Sequence, residues 1–186
     1  LGNHANALIS CKPNKAETTV SNIVYETLSG ADWIRWASLG NLLPLFAEAA
    51  PSIFLKAVED ALAQENGPLE ILFRQEGGGI TGRTYISALL WSLETLAWDP
   101  VYLNRAVYCL AELCALDPGG QWANRPANSL RDIFLPWYPQ TCASIKQRYV
   151  AVSLVVDEHP LVGWKLLLAL LPSSHSSSSG TRKPEW

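Results

Sequence analysis

The chain has 186 residues, 48% hydrophobic, 17% charged and 10% aromatic, with a net charge of −3. That balance excludes an unfolded chain, which would be poorer in apolar residues, and a small disulfide scaffold, which needs a far higher density than four cysteines in this length. With 14 basic against 17 acidic side chains it lacks the cationic excess of a nucleic-acid binder, leaving one globular domain that buries roughly two thirds of its unfolded surface.

The segment from Leu1 to Asn14 is polar and has neither an initiator methionine nor the apolar core of a signal peptide. It reads as a flexible lead-in, 1–14, of a piece excised from a longer protein. Val20, Ile23, Val24, Thr27 and Leu28 then form a helical stripe that stops at Gly30. Asp32 is placed to cap the next helix, which carries Trp33, Trp36, Ala37 and Leu43, with Pro44 expected to kink or break it. Trp36-x2-Leu39-Gly40 echoes the start of a tetratricopeptide repeat, but the positions that should follow do not match. Pro51 opens a helix through Leu55, Val58 and Leu62 that ends near Asn66-Gly67, and a short helix, Leu69 to Arg74, follows Pro68.

Gly77, Gly82, Arg83 and Thr84 match the phosphate-loop spacing G-x4-G-K-[ST], except that arginine stands in place of lysine. The loop would open a helix whose first amides can hold an anion. Against this, arginine does not inherit the lysine's role as a flexible point charge, and the preceding Phe73-Arg74-Gln75-Glu76 is no buried strand. The structural alternative is a plain loop between helices.

Two matched helices follow. Ile86, Leu89, Leu90, Leu93, Leu96 and Ala97 form one apolar stripe, and Leu103, Ala106, Val107, Leu110, Leu113 and Cys114 repeat its spacing. The Asp99-Pro100 joint is short enough to force an antiparallel pair, and Asp117-Pro118-Gly119-Gly120 ends it. Glu94 flanks the first stripe and is the one acid whose burial would matter. Next come Trp122, Asn124, Arg125 and Asn128, and then Trp137 and Tyr138 between two prolines. Two readings stand for this cluster: a contact surface of aromatic and arginine anchors, or tryptophans plugging gaps while Arg125 and Asn128 satisfy helix-end carbonyls. Asn128 or Ser129 is expected to cap a helix from Leu130 to Leu135, stopped by Pro136. Ile145, Tyr149, Val152 and Val156 line a further helix ending near His159-Pro160, and Leu161, Trp164, Leu168 and Leu171 line the last. The serine-rich stretch 172–186 reads as a flexible tail.

No stretch alternates with period 2, so the expected fold is all-α: antiparallel helix pairs over 15–171, arranged as an α-solenoid or an irregular bundle. The eight tryptophans are expected to fill the spaces between helix pairs. Cys11, Cys109, Cys114 and Cys142 show no zinc-ligand spacing and read as reduced thiols of a cytoplasmic protein, mostly buried. The longest apolar run, Leu161 to Leu171, contains Lys165 and is far shorter than the ~20 residues that cross a bilayer. None of His4, His159 and His175 has a partner at triad-like spacing, although partners can be distant in sequence. No catalytic residue, metal ligand or cofactor is therefore assigned.

The stretch from Ala88 to Thr141 contains Leu89-Leu90-Trp91-Ser92-Leu93-Glu94-Thr95-Leu96-Ala97-Trp98-Asp99-Pro100, Leu116-Asp117-Pro118-Gly119-Gly120, Asn124-Arg125-Pro126 and Leu135-Pro136-Trp137-Tyr138-Pro139. Together with Gly163-Trp164-Lys165-Leu166-Leu167 it resembles helical regions of large bacterial NTPases of the signal-transduction ATPase class with numerous domains (STAND), the architecture of antiviral-defence sensors. The resemblance covers the C-terminal half and matches no catalytic motif. It implies an ATPase elsewhere in a parent chain, with these helices acting as scaffold or sensor. The expected function is thus a non-enzymatic module contacting other domains of its parent chain or a protein partner, with neither nucleic acid nor membrane as ligand. The alternative is a small-molecule or nucleotide-binding helical enzyme domain built on the Gly77–Thr84 loop.

Overall fold

A computed structural model describes residues 12, 14–75, 84–120, 123–172, 178 and 180–185. Among these the chain is all-α, with no strand. The helices are α1 (Lys15–Leu28), α2 (Trp33–Ser38), α3 (Leu43–Ala49), α4 (Pro51–Leu62), α5 (Pro68–Arg74), α6 (Ser87–Ala97), α7 (Leu103–Leu116), α8 (Pro126–Phe134), α9 (Ile145–Glu158) and α10 (Pro160–Ala169). The lead-in 1–14, apart from Lys12 and Asn14, lies outside the described residues.

Helix starts follow local chemistry. Asp32 Oδ1 accepts the Arg35 amide at 2.8 Å, as its position predicts. Ser144 and Gln147 form a reciprocal capping box on α9. Prolines open α4, α5, α8 and α10, where a missing amide hydrogen costs nothing. Pro44 belongs to this group too. It lies in the first turn of α3, and the break expected there falls earlier, in a 3-10 turn over Gly40–Leu42. The cap expected from Asn128 or Ser129 is also displaced. Pro126 starts α8 four residues before Leu130, Asn128 donates its amide to the Ala123 carbonyl at 2.6 Å, and Ser129 turns inward.

The architecture is an irregular bundle around α7. This helix packs against α4, α5, α6, α8, α9 and α10, whereas a solenoid repeat touches only its neighbours. Both predicted stripes of the α6–α7 pair are buried, Cys114 alone being half-exposed. Arg105 of α7 clamps α4 through a two-pronged bond to Glu59, at 2.7 and 2.9 Å.

Two expectations fail. Of the six tryptophans described, only Trp36 is fully buried. Trp33 and Trp98 are half-buried, and Trp91, Trp137 and Trp164 are exposed. The core is instead filled mainly by leucine, alanine and valine, with Phe54, Phe73 and Phe134 alongside Trp36. The second failure is the phase of α10. Leu161, Trp164, Leu168 and Leu171, expected to line its buried face, point outward, while Gly163 and Leu166 face the body. Because α10 is apolar around its circumference except at Lys165, periodicity did not select the face. Gly163 selects it, since any larger residue there would press on the Val156 backbone of α9.

Among the described residues, no helix is long and apolar enough to cross a membrane. Cys109 is buried and Cys114 half-buried, as expected, and burial raises both thiols, that of Cys114 to about 12. Cys142 is exposed.

Candidate functional site

Residue 91 and its neighbours define the most elaborate polar region. With the apolar stripe of α6 turned to the core, Trp91 and Glu94 fall on the side facing α8, and Trp98 follows in the turn to α7. Glu94 is 6% exposed. One carboxylate oxygen accepts the Ser129 hydroxyl of α8 at 2.6 Å, and the other accepts the Arg182 amide at 2.9 Å. Burial pushes the Glu94 carboxyl above the ordinary glutamate range. The bonds from Arg182 and Ser129 oppose that shift, and the charge of Asp132 adds to it.

Residues 180–185, expected to be part of a free tail, lie across this region. The Trp98 indole donates to the Arg182 carbonyl at 3.0 Å and lies 3.1 Å from the Thr181 hydroxyl. The Thr181 amide reaches Gln140 Oε1 at 3.4 Å, and the Glu185 amide reaches Glu48 at 3.2 Å. The Arg182 guanidinium lies 5.9 Å from the Trp91 ring centroid, and the Lys183 ammonium 5.3 Å from that of Trp98. Polar main-chain bonds hold the segment, so its lack of apolar residues is no obstacle. No local pattern in the sequence announces Gln140, Trp98 or Glu48 as its partners. Glu94 was legible, because an acid beside a leucine stripe must be accounted for.

Trp91 divides two grooves. On one side lies a cleft of about 590 Å³ lined by Glu94, Asn124, Asn128, Arg131, Asp132 and Arg182. On the other lies a groove of about 780 Å³ bounded by Trp33, Ile34, Asn41, Thr84 and Tyr85.

The residues expected to bind are thus dispersed. Asn124 and Asn128 line the cleft. Arg125 is buried, with Nη1 donating to the Asp117 carboxylate just past α7 at 2.9 Å. Trp137 and Tyr138 are exposed and stacked, ring centroids 6.1 Å apart, and the Tyr138 carbonyl accepts the Gln140 side-chain amide at 3.1 Å. Trp122 lies outside the described residues, as do Gly77, Gly82 and Arg83. Thr84 is described, and its hydroxyl is hydrogen-bonded to that of Ser87.

His159 Nε2 is buried, has no hydrogen-bond partner among the described residues, and lies 3.3 Å from Glu112 Oε1 beside the Tyr108 ring. The Tyr108 hydroxyl is raised to about 12, chiefly by its hydrogen bond to Glu112. This cluster joins the α9–α10 turn to α7. No group of three or more His, Cys, Asp or Glu side chains suited to a metal ion occurs among the described residues. Comparison of the chain with protein-family models, with curated proteins and with solved structures finds no match.

Proposed function

We propose that this chain is a non-enzymatic helical scaffold or sensor module of a larger bacterial cytoplasmic protein, and that it works by protein contacts. The observation that carries this reading is the outer face of α9 and α10. Leu161 (66% exposed), Trp164 (60%), Leu168 and Leu171 form one stripe, and Ile145, Tyr149 and Val150 are exposed on α9. Lys165 is the one charged residue of α10, and the rest of its exposed side is apolar; a contiguous exposed apolar patch of this kind marks a contact surface. Its occupant is a further helical layer of a neighbouring domain, packed as α9–α10 itself packs on α7 and α8. The STAND resemblance supports the same reading, with the nucleotide chemistry lying in another domain.

Sedimentation velocity tests this. The chain with its face uncovered is expected to self-associate as concentration rises, and a variant carrying Leu161→Glu, Trp164→Glu and Leu168→Glu is expected to be monomeric with unchanged thermal stability. A parent chain that stays monomeric, together with several kcal/mol of stability lost in the variant, would show the stripe to be internal packing and overturn the proposal. Turnover of MgATP by the purified chain, lost on Arg83→Ala, would favour the enzyme alternative.

A further inference from the structure

The surface beneath residues 180–185 has the chemistry of a peptide-recognition site. We infer that it binds an extended basic peptide of another protein, of the Thr-Arg-Lys-Pro type, and that residues 180–185 are its intramolecular occupant. It uses none of the residues of the α9–α10 face.

Three observations carry this. First, the contacts read an extended backbone. Gln140, Glu94 and Glu48 accept the main-chain amides of Thr181, Arg182 and Glu185, and Trp98 donates to the Arg182 carbonyl. These groups come from α6, the loop after α8, α3 and the α6–α7 turn, so four parts of the fold converge on one strand of peptide. Second, the acceptors are built in. Glu94 and Gln140 are 6% and 1% exposed, and Glu94 is fixed by Ser129. Residues 180–185 contribute to that burial and supply the second hydrogen bond of Glu94, so the surface presents directed acceptors to a main chain lying on it. Third, no residue of 180–185 is fully buried. Arg182, Lys183 and Glu185 are exposed, the basic pair rests on the Trp91 and Trp98 rings, and the Arg182 guanidinium donates to Glu185 of its own segment at 3.2 Å. Segments without buried apolar anchors open at low cost.

The cleft beside Arg182 extends past the segment toward Asn124 and Asp132. The Asn124 side-chain nitrogen there is buried and has no hydrogen-bond partner among the described residues. A longer peptide would offer it a carbonyl and would set a further cation against Asp132.

The test is fluorescence anisotropy with a labelled peptide, Ser-Ser-Gly-Thr-Arg-Lys-Pro-Glu, titrated with the full chain. Weakening the internal occupant with Arg182→Ser and Lys183→Ser should tighten binding about tenfold over the parent, because competition for the site is relieved. Adding Trp98→Phe should remove that gain, and a peptide with serine in place of Arg and Lys should not bind. Equal affinity of the parent and the double-serine chain, or binding indifferent to the peptide's two cations, would overturn the proposal, and the peptide arm holds even if the Trp98 variant folds poorly. Dimerisation of the parent chain that is lost in the double-serine chain would assign the site to a second copy and overturn it as well.

Discussion

Gly163→Ala is the sharpest probe of how α10 is seated. A Cβ at this position would stand 2.6 Å from Val156 Cα, 2.8 Å from its Cγ2 and 3.0 Å from its amide nitrogen. Two of those three atoms are backbone, so no rotamer change relieves the clash, and α9 and α10 must separate by about 1 Å to restore ordinary contact. Overpacking of this kind costs about 1–3 kcal/mol. Helix propensity works the other way, alanine being favoured over glycine by about 1 kcal/mol. With two backbone atoms in the clash the overpacking cost lies in the upper part of its range, about 2–3 kcal/mol, so the net effect is a loss of about 1–2 kcal/mol, read as a fall of roughly 2–8 °C in melting temperature for a chain of this size. Gly40→Ala is the control, because its added Cβ meets nothing nearer than Ala88 Cβ at 3.8 Å. Urea unfolding of both variants, compared at equal m-values, separates the effects. A Gly163→Ala chain as stable as the parent or more so would refute the packing that orients the outer face of α10.

Glu94 predicts a pH dependence. Its carboxyl is raised in the folded chain, so the folded state holds the proton more tightly than the unfolded state. Stability should therefore fall as pH climbs from the ordinary glutamate value of 4.5 through the raised one. The difference between parent and Glu94→Gln melting curves over that range isolates the effect. Arg125→Ala should cost about 3 kcal/mol, since it removes the cation beside Asp117 at 14% side-chain exposure, whereas Lys56→Ala, from a pair with Asp60 that is open to water on both sides, should leave stability almost unchanged; chemical denaturation distinguishes the two. A thiol reagent applied to the native chain should label Cys142 readily and Cys109 only on unfolding, as peptide mapping would show.

Where an amphipathic period was clean, the fold was legible. The α6 and α7 stripes, the Asp32 cap and the proline-led helix starts all follow from spacing and capping chemistry alone. Legibility ended where the pattern was degenerate. A helix with leucine on every side has no phase until a neighbour supplies one, so the exposed stripe of α10 was taken for its buried face. The tryptophans were misplaced for a related reason. Large aromatics usually fill cores, but several here cap polar clefts. The expected binding cluster proved to be two things: Arg125 in a buried ion pair, and Asn124 and Asn128 along the cleft. The cleft's other partners, Gln140 and residues 180–185, are joined over some 40 residues by main-chain bonds that leave no mark on side-chain periodicity.

The position of α7 also governs how the molecule comes apart. In a linear stack of helix pairs, one end can melt while the other persists, because each unit answers only to its neighbours. Here helices from both halves of the chain close on one central rod, so removing any of them strips a side from that rod. Unfolding should be a single all-or-none event. Shortened versions cut at the helix joints should collapse together, however well each remaining helix is capped.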